Sequence, residues 1–371
     1  MTRATWWAFA PGAVALALSC GRADAPAPAP SDAPTPAPTP AAAATPKPGP
    51  EPAPKPAPTP TPKPAASAVA LAPVTADALR GDVTALADDA LAGRGTPSAG
   101  LDRAAELLAA RMGAIGLVPV VGEAFPTRVD CSGSGSPDAA NVLGLLRGSD
   151  PGLAQQVVIV SAHYDHLGRG TEAGSDDVIF NGANDDASGV AAVLAIATAL
   201  RGAPRAPRRS VMFAAFCGEE LGLRGSRAYV DAPALPLQQT VAVVNLEMLG
   251  RADPQHPRRA WLTGSDRSDL GDVFVERGRA LGIEFVDGSV VGALEGQLFG
   301  ASDNWPFAQA GVVAHSISGG PIDPQYHTVD DEADRLDYDA MAPIVAAIAD
   351  ATWTLADRDA VPRWREGAAP G

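Results

Sequence analysis

The stretch Ser-Ala-His-Tyr-Asp-His-Leu-Gly at 161–168 holds two of the chain's five histidines, His163 and His166, with Asp165 between them. By itself it fits a hydrogen-bonded loop past a buried strand as well as a metal site, so its meaning depends on partners elsewhere. At 181–189, Asn-Gly-Ala-Asn-Asp-Asp-Ala-Ser-Gly puts Asp185 and Asp186 just ahead of an apolar helical pattern, where an acid can cap the helix or reach a ligand. Glu219 and Glu220 are adjacent at the end of the apolar run 210–216. Buried and ionised together, they would repel unless a cation lay between them. Glu247 interrupts the apolar run 240–249, and a buried carboxylate costs several kcal/mol unless it is paired or metal-bound. No comparably placed Lys or Arg answers these charges, and a divalent metal would. His327, ahead of the last helical pattern, supplies a second imidazole. Two histidines and three carboxylates suit a pair of metals sharing one acid, with a further carboxylate free to act on water.

These residues need a frame. Nearly continuous apolar runs at 141–148, 156–165, 210–216, 240–249 and 311–318 read as strands covered on both faces. Helical patterns fall at 76–92, 101–117, 187–202, 268–282 and 337–356. The alternation predicts an α/β fold, a mostly parallel central sheet flanked by helices on both faces. In such folds ligands sit beyond the carboxyl ends of the strands, which is where His163, Asp165, Glu219, Glu220 and Glu247 fall.

Taken in order, "SAHYDHLG", "NGANDDASG", "GEELGLRGS", "NLEMLGR", "SDNWPFAQAG" and "PQYHTVDDEADRLDY" give residues 76–355 a resemblance to the M28 zinc exopeptidases, whose members include bacterial leucyl aminopeptidases. The resemblance implies a zinc-exopeptidase (phosphorylase/hydrolase-like) fold and a two-zinc aminopeptidase; manganese or cobalt could replace the zinc. It assigns His163, Asp185, Glu220, Glu247 and His327 as metal ligands, with Asp185 bridging and Asp186 as the alternative bridge. Asp165 is expected to orient His163, and Glu219 to be the general base on an activated water. Glu247 stands where the family usually has aspartate. Asn304 stands where histidine is frequent, and altered substrate contacts are expected from it. Two other readings remain open: a one-zinc glutaminyl cyclase-like enzyme, and an inactive peptidase fold serving as a binding module.

The ends of the chain differ from this middle. Residues 1–23 carry Arg3, an apolar stretch and Ala-Leu-Ser-Cys ending at Cys20. That pattern resembles a lipoprotein signal with Cys20 as the lipidated residue, against an ordinary secretory signal as the alternative. Residues 24–73, dominated by Ala, Pro and Thr, read as a disordered tether, with a reach on the order of 150 Å at ~3.1 Å per residue. The peptidase domain is expected over 74–358 and a flexible tail over 359–371. The chain is thus expected to be exported and membrane-anchored through Cys20, facing the periplasm or cell exterior, with peptides as substrates. A formal charge of −15 argues against a nucleic-acid partner. Cys131 and Cys217 could pair in an exported protein, but spacing does not decide it. His166 is expected behind the ligands or facing solvent, His256 in a charged loop, and His315 as a satisfied strand histidine.

Overall fold

The computed structural model describes residues 69–321 and 323–370. In chain order its strands are β1 (Val118–Pro119), β2 (Pro126–Val129), β3 (Ala139–Leu146), β4 (Val157–His163), β5 (Gly168–Arg169), β6 (Ile179–Phe180), β7 (Ser210–Phe216), β8 (Thr240–Glu247), β9 (Arg259–Leu262), β10 (Glu284–Asp287) and β11 (Ala314–Ser318). The helices are α1 (Ala76–Leu86), α2 (Ala99–Ile115), α3 (Gly189–Arg201), α4 (Arg224–Asp231), α5 (Leu270–Leu281), α6 (Glu295–Leu298), α7 (Asn304–Gln309) and α8 (Tyr338–Asp357).

The main sheet runs β1-β3-β7-β4-β8-β11-β9-β10, with β2 paired to β3. Its centre, β7-β4-β8-β11, is parallel. Antiparallel pairs join β3 to β7 and β9 to β11 on the two flanks. Every residue of β3, β4 and β7 is buried, as their unbroken apolar sequences require of strands with two covered faces. Side chains alternate between two cores. Val158 and Val160 face the one built with α1, α2, α3, α5 and α8, whereas Val157 and Ile159 face the one containing Tyr229 of α4 and Phe307 of α7. The mixed α/β frame, with its parallel centre and helices on both faces, follows from that alternation.

Element bounds moved where local chemistry intervened. The helix expected over 76–92 stops at Leu86 and resumes as a 3-10 turn at Asp89–Arg94. Gly93, at φ 70°, brings the backbone so close that an added Cβ would lie 2.3 Å from the Gly168 carbonyl oxygen, a place only glycine fills. The ordered domain also begins before residue 74: Val69 and Leu71 pack on the core and Ala72 N–H donates to the Ala199 carbonyl.

Within residues 359–370, part of the segment expected as a tail, contacts reach back to the domain. Trp364 Nε1 donates to the Gly311 carbonyl at 3.0 Å, its ring meets His315, and Arg363 exchanges hydrogen bonds with Asp269. The half-buried Trp364 and these backbone bonds hold residues 363 and 364 against the domain. Cys131 and Cys217 form a disulfide. The expected signal, lipidation at Cys20 and most of the tether lie outside the described residues. No described helix is long and apolar enough to cross a membrane.

A candidate metal centre at the strand ends

His163 closes β4 and Glu247 closes β8, while Glu219 and Glu220 follow β7. Asp185 lies in the tight turn Ala183–Ser188 ahead of α3, and His327 lies in the loop between β11 and α8. Chain order scatters these residues; the parallel centre of the sheet collects them at one rim. His163 Nε2 is 3.1 Å from Asp185 Oδ1 and 3.1 Å from Glu247 Oε1. His327 Nε2 is 3.2 Å from Asp185 Oδ2 and 3.1 Å from Glu220 Oε2. Asp185 therefore turns one oxygen to each of two imidazole–glutamate pairs. His327 and Met248 take φ of 60° and 52°, the left-handed region that non-glycine residues enter seldom.

The donor set fits divalent metal. Asp185 Oδ2 and His327 Nε2 are buried and lack any hydrogen-bond partner although only 3.2 Å separates them, so both aim at a shared point rather than at each other. Bonds of 2.0–2.1 Å in tetrahedral array put neighbouring donor atoms about 3.3 Å apart, close to the spacings here. Imidazole with carboxylate suits zinc, manganese or cobalt. Three overlapping groups meet the spacing of a metal site: His163–Asp185–Glu247, His163–Glu219–Glu220, and His166–Asp185–Glu220–His327.

Electrostatics agree. The sequence has no lysine after Lys63, and Arg94, a fully buried cation nearby, is committed to carbonyl oxygens of Leu86, Tyr164, Asn181 and Gly182 at 2.6–2.9 Å. Burial alone would lower the His163 pKa, yet the carboxylates of Glu219 and Glu247 hold it well above the usual value. His327 likewise rises to about 10 against its burial, through Asp185 and Glu220. Burial pushes Glu219 well up, aided by Glu247, Asp303 and Glu220. Asp185 falls well below the carboxylate range despite its burial, because the imidazoles of His163, His327 and His166 stand against it. The rim is a sink for positive charge.

The surrounding residues sort themselves by contact. Asp186 belongs to none of these groups; its Oδ1 accepts from Gly189 N–H at 3.1 Å and Met248 N–H at 3.0 Å, so the capping reading fits it. Asp165 meets His163 Nδ1 through its backbone carbonyl at 3.2 Å, with a carboxylate oxygen at 3.7 Å. That carboxylate accepts from Glu219 N–H at 3.1 Å and Thr96 Oγ1 at 3.3 Å. His166 is 1 % exposed and its Nδ1 lies 2.9 Å from Glu220 Oε1, which excludes the solvent-facing position. Asn304 contradicts the expected substrate contacts: it is fully buried, donating to the Phe299 carbonyl and accepting from Ser316. His256 pairs with Asp253 on the surface, and His315 is buried between Ser268 and the Thr263 carbonyl.

Several contributors carried no sequence signal strong enough to find them. Asp331 accepts the N–H groups of Asn184 and Asp185 at 2.9 and 3.0 Å, and Arg94 ties down the same turn. Asp303, pushed up to about 7 by burial, takes the Ser226 hydroxyl. A cavity of about 200 Å³ opens beside Asp185, Glu219 and Glu247, walled by Met248, Trp261, Leu298, Pro321 and Tyr326.

Residues 141–352 match the model of Peptidase family M28. The chain belongs to that family. Among curated M28-like relatives, leupeptin-inactivating enzyme 1 of Streptomyces exfoliatus is 26% identical over 64% of this chain and 53% of its own. A protein of Mycobacterium tuberculosis described as "Probable lipoprotein aminopeptidase LpqL" is 28% identical over 62% of this chain and 48% of its own. The chain thus spans about half the length of the curated relatives it matches. Two solved structures share the M28 fold: BSAP, a zinc aminopeptidase from Bacillus subtilis (TM-score 0.60, 16% identity, 80% of this chain and 98% of that one), and a Bacteroides thetaiotaomicron glutaminyl cyclase (TM-score 0.59, 17% identity, 76% and 99%).

Proposed function

We propose that this M28 chain is an exported aminopeptidase that holds two zinc ions and releases residues from the amino ends of peptides. The observation that carries the reading is Asp185, with one oxygen 3.1 Å from His163 Nε2 and the other 3.2 Å from His327 Nε2. One ion would be held by His163, Asp185 and Glu247, the other by His327, Asp185 and Glu220. Divalent ions there supply charge that polarises a scissile carbonyl and makes water acidic enough to react near neutral pH. Glu219, on the cavity wall, takes the proton of the attacking water and returns it to the departing amine nitrogen. Asp165 steadies both partners, since it touches the His163 ring and the Glu219 backbone. The charged groups lining the cavity are all carboxylates, which favours a substrate's free ammonium end over its carboxylate end. The apolar walls suit an uncharged side chain. Export, anchoring through Cys20 and peptide substrates belong to the same proposal; nucleic acid is not a partner.

The test combines metal analysis of the purified protein with a panel of blocked and free peptides. Two ions per chain, cleavage of free-amine peptides and silence on N-acetylated ones are expected. Turnover restricted to N-terminal glutamine with one ion per chain would make it a cyclase instead. Bound metal without turnover of any peptide would leave a binding module.

A further inference from the structure

His166 belongs to the four-residue group with Asp185, Glu220 and His327, yet its distances set it apart from the other three. The imidazole and carboxylate atoms that would share an ion lie 3.1–3.2 Å apart. His166 Nδ1 falls on either side of that spacing, 2.9 Å from Glu220 Oε1 and 3.7 Å from Asp185 Oδ2. The first is the length of a hydrogen bond to a carboxylate, and the second is too long for one. Glu220 thus divides its oxygens, Oε1 to His166 and Oε2 to His327 Nε2 at 3.1 Å.

The other ring nitrogen fixes where the hydrogen sits. His166 is 1 % exposed, and its Nε2 is buried with no hydrogen-bond partner among the described residues. A histidine that binds metal through one nitrogen almost always donates the N–H of the other to an oxygen, as His163 Nδ1 can to the Asp165 carbonyl. Metal on His166 Nδ1 would force the hydrogen onto Nε2, where no acceptor stands, and buried donors are seldom left so. With the hydrogen on Nδ1, the ring gives it to Glu220 and only a lone pair is left bare. The ring is also held in place. Gly182, at φ 58°, makes room for it, since a Cβ there would lie 2.5 Å from the ring's Cγ. His166 N–H donates to the Arg94 carbonyl, and the His327 ring meets the His166 ring edge to face with centroids 5.6 Å apart.

We propose that His166 is a positioning residue, not a ligand: its Nδ1–H holds Oε1 of Glu220, so that Oε2 alone faces the ion beside His327. This rests on the two-metal reading above. The two adjacent glutamates are thereby kept to separate tasks. His166 fixes Glu220 from the loop between β4 and β5, while Glu219 lines the cavity.

The test reads the ring and the metal, not only turnover. In zinc-loaded full-length protein carrying isotope-labelled histidine, NMR should find the His166 hydrogen on Nδ1. In His166→Ala one of two zinc dissociation constants, measured by competition with a chelator, should weaken by roughly 10- to 100-fold. The other should be unchanged, and the absorption spectrum of the cobalt-loaded protein should alter. His166→Asn puts an amide N–H where Nδ1 stood and should restore both affinity and spectrum. Should the alanine variant not fold, the wild-type ring hydrogen and the asparagine variant decide the matter alone. Metal on Nδ1 in the wild type, wild-type affinity in His166→Ala, or a His166→Asn protein weakened as far as expected for alanine overturns the proposal while leaving the two-metal reading intact. A wild-type protein that binds fewer than two ions overturns that reading, and this proposal with it.

Discussion

His163 and His315 are the same residue type on strands of one sheet, 1 % and 0 % exposed, and their electrostatics run in opposite directions. His315 meets neutral partners: its Nδ1 donates to the Thr263 carbonyl, its Nε2 accepts from Ser268, and aromatic rings of Phe299 and Trp364 cover it. Burial then brings its pKa down to about 4. His163 meets Asp185, Glu247 and Glu219, and their charge overrides an equal burial to raise it. Depth in the fold is therefore no guide to role. What separates a structural histidine from a candidate ligand is whether its partners saturate it or leave a charge to be answered.

The strongest way to break this contrast acts on the charged end. Glu219→Gln should lower turnover by roughly 10² to 10⁴-fold while metal analysis still finds both ions; unchanged rates would remove Glu219 from the reaction. Removing the metals with a chelator should abolish turnover and leave the far-ultraviolet circular dichroism intact, because the core does not pass through the rim.

The neutral end makes a smaller and differently shaped effect. His315 titrates near 6.5 when unfolded and about 4 when folded. The unfolded chain alone takes up the proton between those values, so the contribution is complete above pH 6.5 and is lost as pH falls toward 4. It is worth about 3 kcal/mol. His315→Gln should flatten melting temperature against pH across that window relative to wild type, and parallel curves would count against the assignment. Smaller again is Trp364→Ala, which uncovers the ring: roughly 2 kcal/mol of stability, below the 3–5 kcal/mol of a fully buried aromatic. The His315 pKa should move back toward 6.5 by NMR titration, and a fixed value would mean that Trp364 does not shield it.

The frame was readable because Val157–Val160 and Val211–Phe216 are apolar runs that only a two-faced burial explains. Short elements such as α4 and α7, of eight and six residues, have too few turns to show a period. In the site, His163, Asp185, Glu220 and Glu247 were legible as polar residues where apolar elements end. Arg94 was not, because its partners are carbonyl oxygens, which every residue has. Ser302 was hidden for a related reason: it meets the Glu247 carboxylate only through the fold. One pattern was present and went unread, the alternation Ser161/His163, Asn245/Glu247 and Ser316/Ser318, whose period of two marks a single polar face crossing three strands.

Arg94 precedes the family-matched stretch 141–352, yet its guanidinium binds carbonyls beside His163 and just ahead of Asp185. A recombinant fragment trimmed to begin at Asn141 would keep every acid and imidazole of the centre and lose the rivet between its two loops, along with Cys131 of the disulfide. Residues 69–140 are thus part of the same structural unit, and swapping the half that carries the candidate metal centre onto a relative's leading segment would require an arginine delivered to the same three oxygens, those of Tyr164, Asn181 and Gly182.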